Sequence, residues 1–136
     1  EIGWGAFEDC CDLISIIIPE SVTKIGNYVF QSCPNLALTS LPEGLTDIGS
    51  FAFSGCSKLA LTSLPEGLMY ISTSAFYNCV GLTSITFKRK PSSLASSAFN
   101  GCTNLLTINV PWSEGAVAGA PWGATNATIN YNFKEA

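Results

Sequence analysis

Phe7, Phe30, Phe53, Phe76 and Phe99 stand 23 residues apart without a slip. Cys10, Cys33, Cys56, Cys79 and Cys102 keep the same step, as do Leu13, Leu36, Leu59, Leu82 and Leu105. So do Ile2, Ile25, Ile48, Ile71 and Leu94. A further column runs Ile18, Leu41, Leu64, Phe87 and Val110, followed by Pro19, Pro42, Pro65 and Pro111, with Lys88 in the remaining copy. Independent columns in phase mark a tandem array. A unit this short cannot bury its apolar face alone. Stacked units can, because each contact then falls between neighbours and the columns become continuous ladders through a long core. The Phe column predicts a spine of rings at stacking distance.

Within one unit, Ile48, Ala52, Phe53 and Cys56 fall at i, i+4, i+5 and i+8, the spacing of one face of a short helical turn. Residues 82–87 alternate at their end, predicting a short strand with Ile85 and Phe87 inward. Pro19 and its counterparts stop that strand, since proline has no donor to pair. Residues 22–25 and 45–48 alternate again and predict a second extended segment in each turn. The resulting architecture is an α/β repeat: a right-handed solenoid with a parallel β-ladder about 4.8 Å per rung.

The unit reads I-G-x-x-A-F-x-x-C-x-x-L-x-x-I-x-I-P-x-x-V-x-x, and its A-F-x-x-C-x-x-L core resembles the Treponema-type, or BspA-like, leucine-rich repeat of bacterial surface proteins. The resemblance covers residues 1–111. Gly26 and Gly49 give way to Ser72 and Ala95, Val29 replaces the alanine, and Lys88-Arg89-Lys90 replaces a Pro-Glu-Gly turn. The resemblance implies a leucine-rich-repeat fold and a habit of binding host or other proteins. It places five repeats in 1–111, the first partial at its N-terminal end. Residues 112–136 break the period and are expected to form a capping segment. There Ser113 would cap a short helix, Thr128 onward would form a strand, and Trp112 and Trp122, with Ile129, Tyr131 or Phe133, would cover the last core layer.

Residue chemistry argues against catalysis. The chain has no His, so the usual base near neutral pH is missing. The five in-phase cysteines occupy core positions, where a free thiol behaves as a small hydrophobe. Stacked rungs hold them farther apart than a disulfide wants, and without a C-x-x-C pair or His no metal or cofactor is expected. Glu20, Glu43 and Glu66 form an acidic row at solvated turns, with Lys24 beside Asp47 offsetting part of the charge. A net charge of −4, with only Lys88-Arg89-Lys90 clustered among six basic residues, excludes the basic stripe that nucleic acid requires. No apolar run reaches the roughly 20 residues of a spanning helix. Asn126-Ala127-Thr128 fits the glycosylation sequon, which matters only in a eukaryotic secretory host.

The outward side of the main strand is the candidate binding face, a concave strand surface carrying Ile17, Leu38, Ser40, Leu61, Ser63, Ser84 and Thr86. Leu38 and Leu61 either project as an apolar pair on a Ser/Thr sheet or turn inward through a local change of register. The expected role is a non-enzymatic protein-binding or adhesion module, with another protein as partner, such as a host surface or matrix protein. The alternative is a structural spacer or tip in a longer surface or phage-tail protein. The resemblance and the low charge, 12% of residues, point to the cell surface or a secreted location. The first main strand, residues 13–18, carries none of the charges or prolines that protect an edge. Its face is expected to be covered by earlier repeats or by self-association.

Overall fold

The computed structural model describes residues 1–135. Seven short strands are formed: β1 (Lys24–Ile25), β2 (Asp47–Ile48), β3 (Tyr70–Ile71), β4 (Ser84–Thr86), β5 (Ser93–Leu94), β6 (Thr107–Asn109) and β7 (Thr128–Asn130). They make two parallel sheets, one in the order β1-β2-β3-β5 and the other β4-β6-β7. Register follows the sequence period: Ile25 lies opposite Ile48, Ile48 opposite Ile71, Ile71 opposite Leu94, and Ile85 opposite Ile108. Ile2 extends the first ladder by a bridge to Ile25. The chain is therefore a leucine-rich-repeat solenoid of about five turns, with one ladder on each flank.

Helical turns, expected over the I-G-x-x-A-F-x-x-C stretch, do not form. The segment is a run of tight turns with i to i−3 bonds, such as Ala52 N–H to Gly49 C=O (3.2 Å) and Cys56 N–H to Phe53 C=O (3.1 Å). Alternate amides instead point along the solenoid axis. Tyr28, Phe30 and Ser32 donate to Ser50, Ala52 and Ser54 of the next coil at 2.9, 2.8 and 2.7 Å. A helix would consume those groups internally, and stacking needs them. Left-handed backbone at Tyr28, Ser32 and Phe51 (φ 61°, 57° and 56°) supplies the alternation.

The Phe column is the spine. Phe7, Phe30, Phe53, Phe76 and Phe99 stack with centroids 5.3–5.4 Å apart and planes within 18° of parallel. The last four rings are fully buried. Beside them each cysteine thiol donates to the carbonyl of the preceding coil's Phe: Cys33 to Phe7, Cys56 to Phe30, Cys79 to Phe53 and Cys102 to Phe76, at 2.9–3.1 Å. The thiol thus fills core space and gives a second donor to a carbonyl that, at Phe7, Phe53 and Phe76, already closes its own tight turn. Gly49 lies where backbones come closest. A Cβ there would fall 2.6 Å from the Asn27 amide nitrogen, which explains why that column begins with glycine.

The second ladder is regular only in the later coils. In coils two and three the apolar side chain comes one residue early, at Leu38 and Leu61, where Ile85 and Ile108 occupy the next position. Leu61 is buried and Leu38 packs against the core, while Thr39 and Thr62 face solvent. Of the two arrangements open to the sequence, these leucines take the inward one. The shift disrupts pairing, so among the described residues the third coil's segment joins the ladder only through a Ser63–Thr86 bridge.

Beyond residue 111 the sequence period fades, but the chain keeps winding. β7 pairs with β6 at a step of 21, Thr107 opposite Thr128 and Ile108 opposite Ile129. Phe99 N–H donates to Trp122 C=O (2.8 Å), as Phe76 does to Ala98. Trp122 is fully buried and Trp112 nearly so, packed edge-to-face with centroids 5.9 Å apart. Trp122 Nε1 donates to Ala118 C=O at 3.0 Å. The helix expected after Ser113 is a single turn closed by Ala116 N–H to Ser113 C=O, 3.0 Å. Gly115 and Gly119, both at positive φ, break the run.

Candidate functional site

The strand-side flank holds the residues singled out from sequence, in unequal settings. Ile17 is 93% exposed and Ser40 is exposed, whereas Ser63, Ser84 and Thr86 are half-buried within the ladder. Leu38 and Leu61 line the interior behind them. One row along this flank is tied together: Asn109 Nδ2 donates to Thr86 Oγ1 (3.0 Å), and Asn130 Nδ2 donates to Asn109 Oδ1 (2.7 Å). That polar chain fixes side-chain rotamers over β4, β6 and β7 and leaves a flat surface of Ser, Thr and Asn.

At the other end of the flank the surface opens. Residues 16–18 and 37–42 line a groove of about 260 Å³ together with Glu20. Its walls are Ile16, Ile17, Ile18, Leu38 and Leu41; Thr39, Ser40 and Glu20 give it polar points. Ile14, also exposed, lies just outside it.

The acidic row is organised by backbone rather than left free. Glu20 Oε2 accepts the Glu43 amide (3.2 Å) and Glu43 Oε2 accepts the Glu66 amide (3.3 Å). Lys88 reaches back two coils to Glu43 Oε1 at 3.1 Å. The hydrogen bond from Lys88 holds the Glu43 carboxyl below its usual range, helped by the Glu66 amide. The row is thus a turn clamp, and Lys88 takes the place of the missing Pro-Glu-Gly turn as its counter-charge.

All six cysteines are free thiols. Burial pushes Cys56 up to about 12 and Cys33 above its ordinary value. Burial also pushes Cys79, next to Cys102, well above its ordinary value. Cys102 Sγ–H points at the Phe76 carbonyl, an acceptor that requires the proton, so the neutral pair is the state this geometry holds. Buried neutral thiols are poor nucleophiles. Among the described residues no group of three or more His, Cys, Asp and Glu is placed to hold a metal.

A second surface row escaped the sequence reading. Trp4, Tyr28, Phe51 and Tyr77 line up on the turn side, Trp4 against Tyr28 and Tyr28 against Phe51 with centroids 5.4 Å apart, Tyr77 at 6.4 Å from Phe51. Tyr28 and Phe51 hold positive φ, a costly conformation for bulky side chains, and their mutual stacking helps offset it. Only Tyr28 and Phe51 keep the 23-residue step; Trp4 and Tyr77 fall out of phase with them, so the repeat gave no signal for the whole row.

Comparison with known proteins follows this geometry. The model of the BspA-type leucine-rich repeat region matches residues 1–116 in six copies. The chain is similar to the crystal structure of a Treponema pallidum leucine-rich repeat protein, with TM-score 0.70 and 25% identity, covering 97% of this chain and 62% of that one. It is also similar to a leucine-rich repeat protein from Bacteroides ovatus, with TM-score 0.54 and 27% identity over 79% of this chain and 34% of the other. The chain therefore spans less than two thirds of either relative's length. No curated protein matches it.

Proposed function

The chain belongs to the BspA-type leucine-rich repeat family, and from that premise we propose that it is a non-enzymatic module that binds another protein at a bacterial surface or in a secreted protein. Leucine-rich repeats of this family are in general protein-interaction or adhesion modules. The observation that carries the reading here is the strand-side flank, where Ile17 stands 93% exposed beside the groove of about 260 Å³. Ser40, Ser63, Ser84 and Thr86 continue the surface along the array. A large apolar side chain left in solvent next to a concavity is a feature of recognition surfaces. Among the described residues no helix is long and apolar enough to cross a membrane. Residues 1–111 are read as the binding array, and 112–136 as the segment that closes its core with Trp112 and Trp122.

The inward turn of Leu38 and Leu61 favours the spacer reading for the central coils, since it leaves mainly Ser and Thr outside. Binding to an immobilised panel of extracellular-matrix proteins separates the two. A binding module loses its signal on Ile17→Lys or Thr86→Arg and keeps it on Thr73→Arg at the opposite side of the coil. No signal with any matrix protein, or equal loss from all three variants, would leave the spacer reading.

A further inference from the structure

The ladder on the β1-β2-β3-β5 flank is continuous, with Ile2 N–H to Lys24 C=O, Gly26 N–H to Ile2 C=O and Gly49 N–H to Ile25 C=O all at 2.8–2.9 Å. The opposite flank is unzipped at its start. Between residues 13–18 and 36–41 one backbone bond remains, Ala37 N–H to Ile14 C=O at 2.8 Å. Between residues 36–41 and 59–64 there is again one, Ala60 N–H to Leu38 C=O at 3.0 Å. Among the described residues, the amides of 15–18 and 39–41 have no backbone acceptor. Neither segment contains a turn or bend. The cause is the one-residue advance of Leu38 and Leu61, which takes the backbone out of the phase that β4 and β6 share. Two turn-free segments with unspent donors and acceptors therefore flank the groove of Ile16–Ile18 and Leu38–Leu41.

We propose that this groove receives an extended segment of a partner protein, whose main chain pairs with the free backbone groups of 15–18 and 39–41. Strand addition gives affinity through main-chain bonds and selectivity through pockets for alternate side chains. Here Ile16, Ile18, Leu38 and Leu41 take apolar side chains on one side of the added segment, and Glu20 at the groove's end favours a basic residue there. The inference rests on the binding-module reading and names the chemistry of its partner.

The probe is a short synthetic peptide of alternating valine and threonine between terminal lysines, compared with the same peptide N-methylated at alternate amides. Both are added to the full chain and followed by amide hydrogen exchange. The expected result is roughly tenfold or slower exchange at the amides of 16–18 and 39–41 with the first peptide, and no change with the second. The paired swap Leu38→Thr with Thr39→Ile restores the register of β4 and should close the groove. It is expected to remove the peptide effect while the amides of β4 and β6 keep their protection. Equal binding of the N-methylated peptide overturns the proposal, as does absence of any slowing. Slowing confined to residues 84–86 and 107–109 also overturns it, yet leaves the flank as a binding face.

Discussion

Phe53 sits midway along the ring spine, stacked on Phe30 at 5.3 Å and on Phe76 at 5.4 Å, with no surface in solvent. Phe53→Ala is expected to cost about 3–5 kcal/mol in chemical denaturation, the range for truncating a buried aromatic. Loss below about 1 kcal/mol would place the ring outside the core. The thiol of Cys56 offers a sharper test because its chemistry depends on burial. Its folded pKa, about 12, lies above the ordinary 9.0. Below pH 9 the thiol is protonated in both states and its contribution is complete. As pH rises from 9 toward 12, the unfolded chain loses the proton first, so stability falls by about 1.4 kcal/mol per pH unit for this group. Denaturation of wild type and Cys56→Ala through that window should show the shallower slope in the variant. Equal slopes would mean an ionisable, solvated thiol.

At the scale of the element, two kinds of β-ladder coexist in one repeat. β1, β2 and β3 recur because Ile25, Ile48 and Ile71 alternate with outward Lys24, Asp47 and Tyr70, and that pattern was readable from the sequence. The main strand was readable at β4 and β6, where adjacent coils both keep the spacing Leu-x-x-Ile. Leu13 and Ile16 keep it too, but their neighbour in coil two does not, and no strand forms there. In coils two and three the spacing is Leu-x-Leu, and a one-residue slip moves the side-chain set to the other face. Hydrogen exchange on the free chain should report it. The amides of Ile85, Ile108 and Val110 are expected to be protected, and those of Ile16, Ile17 and Ser40 to exchange close to open-chain rates. Protection of the second group equal to the first would mean the ladder is zipped throughout. The turns were misread for a related reason. The spacing of Ile48, Ala52, Phe53 and Cys56 fits a helical face, but neighbouring coils compete for the same carbonyls, and nothing local reveals that competition.

Across the whole molecule, core layers are covered differently at the two ends. The later end is closed by Trp112, Trp122 and Ala124, all buried. At the first coil Ile2, Phe7, Leu13 and Ile16 are only partly buried, while Trp4 and Ile14 are 69% and 66% exposed. The 136-residue chain by itself is therefore expected to self-associate through that face. Light scattering should show species heavier than the monomer, reduced by Ile17→Lys. A monomer at high concentration, unchanged by the substitution, would show that the face is tolerated in water. Repeat arrays with an open end of this kind couple mainly to their neighbours, so Phe53→Ala should disturb adjacent coils more than β7.

The sequence by itself determined the period, the buried columns of Ile, Phe, Cys and Leu, the parallel stacking and the acidic row, because each follows from repetition and from which side chains avoid water. It also carried the family resemblance in its A-F-x-x-C-x-x-L core. Only the tertiary structure decided which way Leu38 and Leu61 turn, where the strand-side ladder opens, and that residues 112–135 continue the coil after their period is lost. Each of these depends on hydrogen bonds between residues more than 20 apart. A carbonyl that could close a helix within its own coil is claimed instead by the coil beside it. That choice is made by stacking, where every coil must satisfy its neighbour, and no single repeat contains the information to make it.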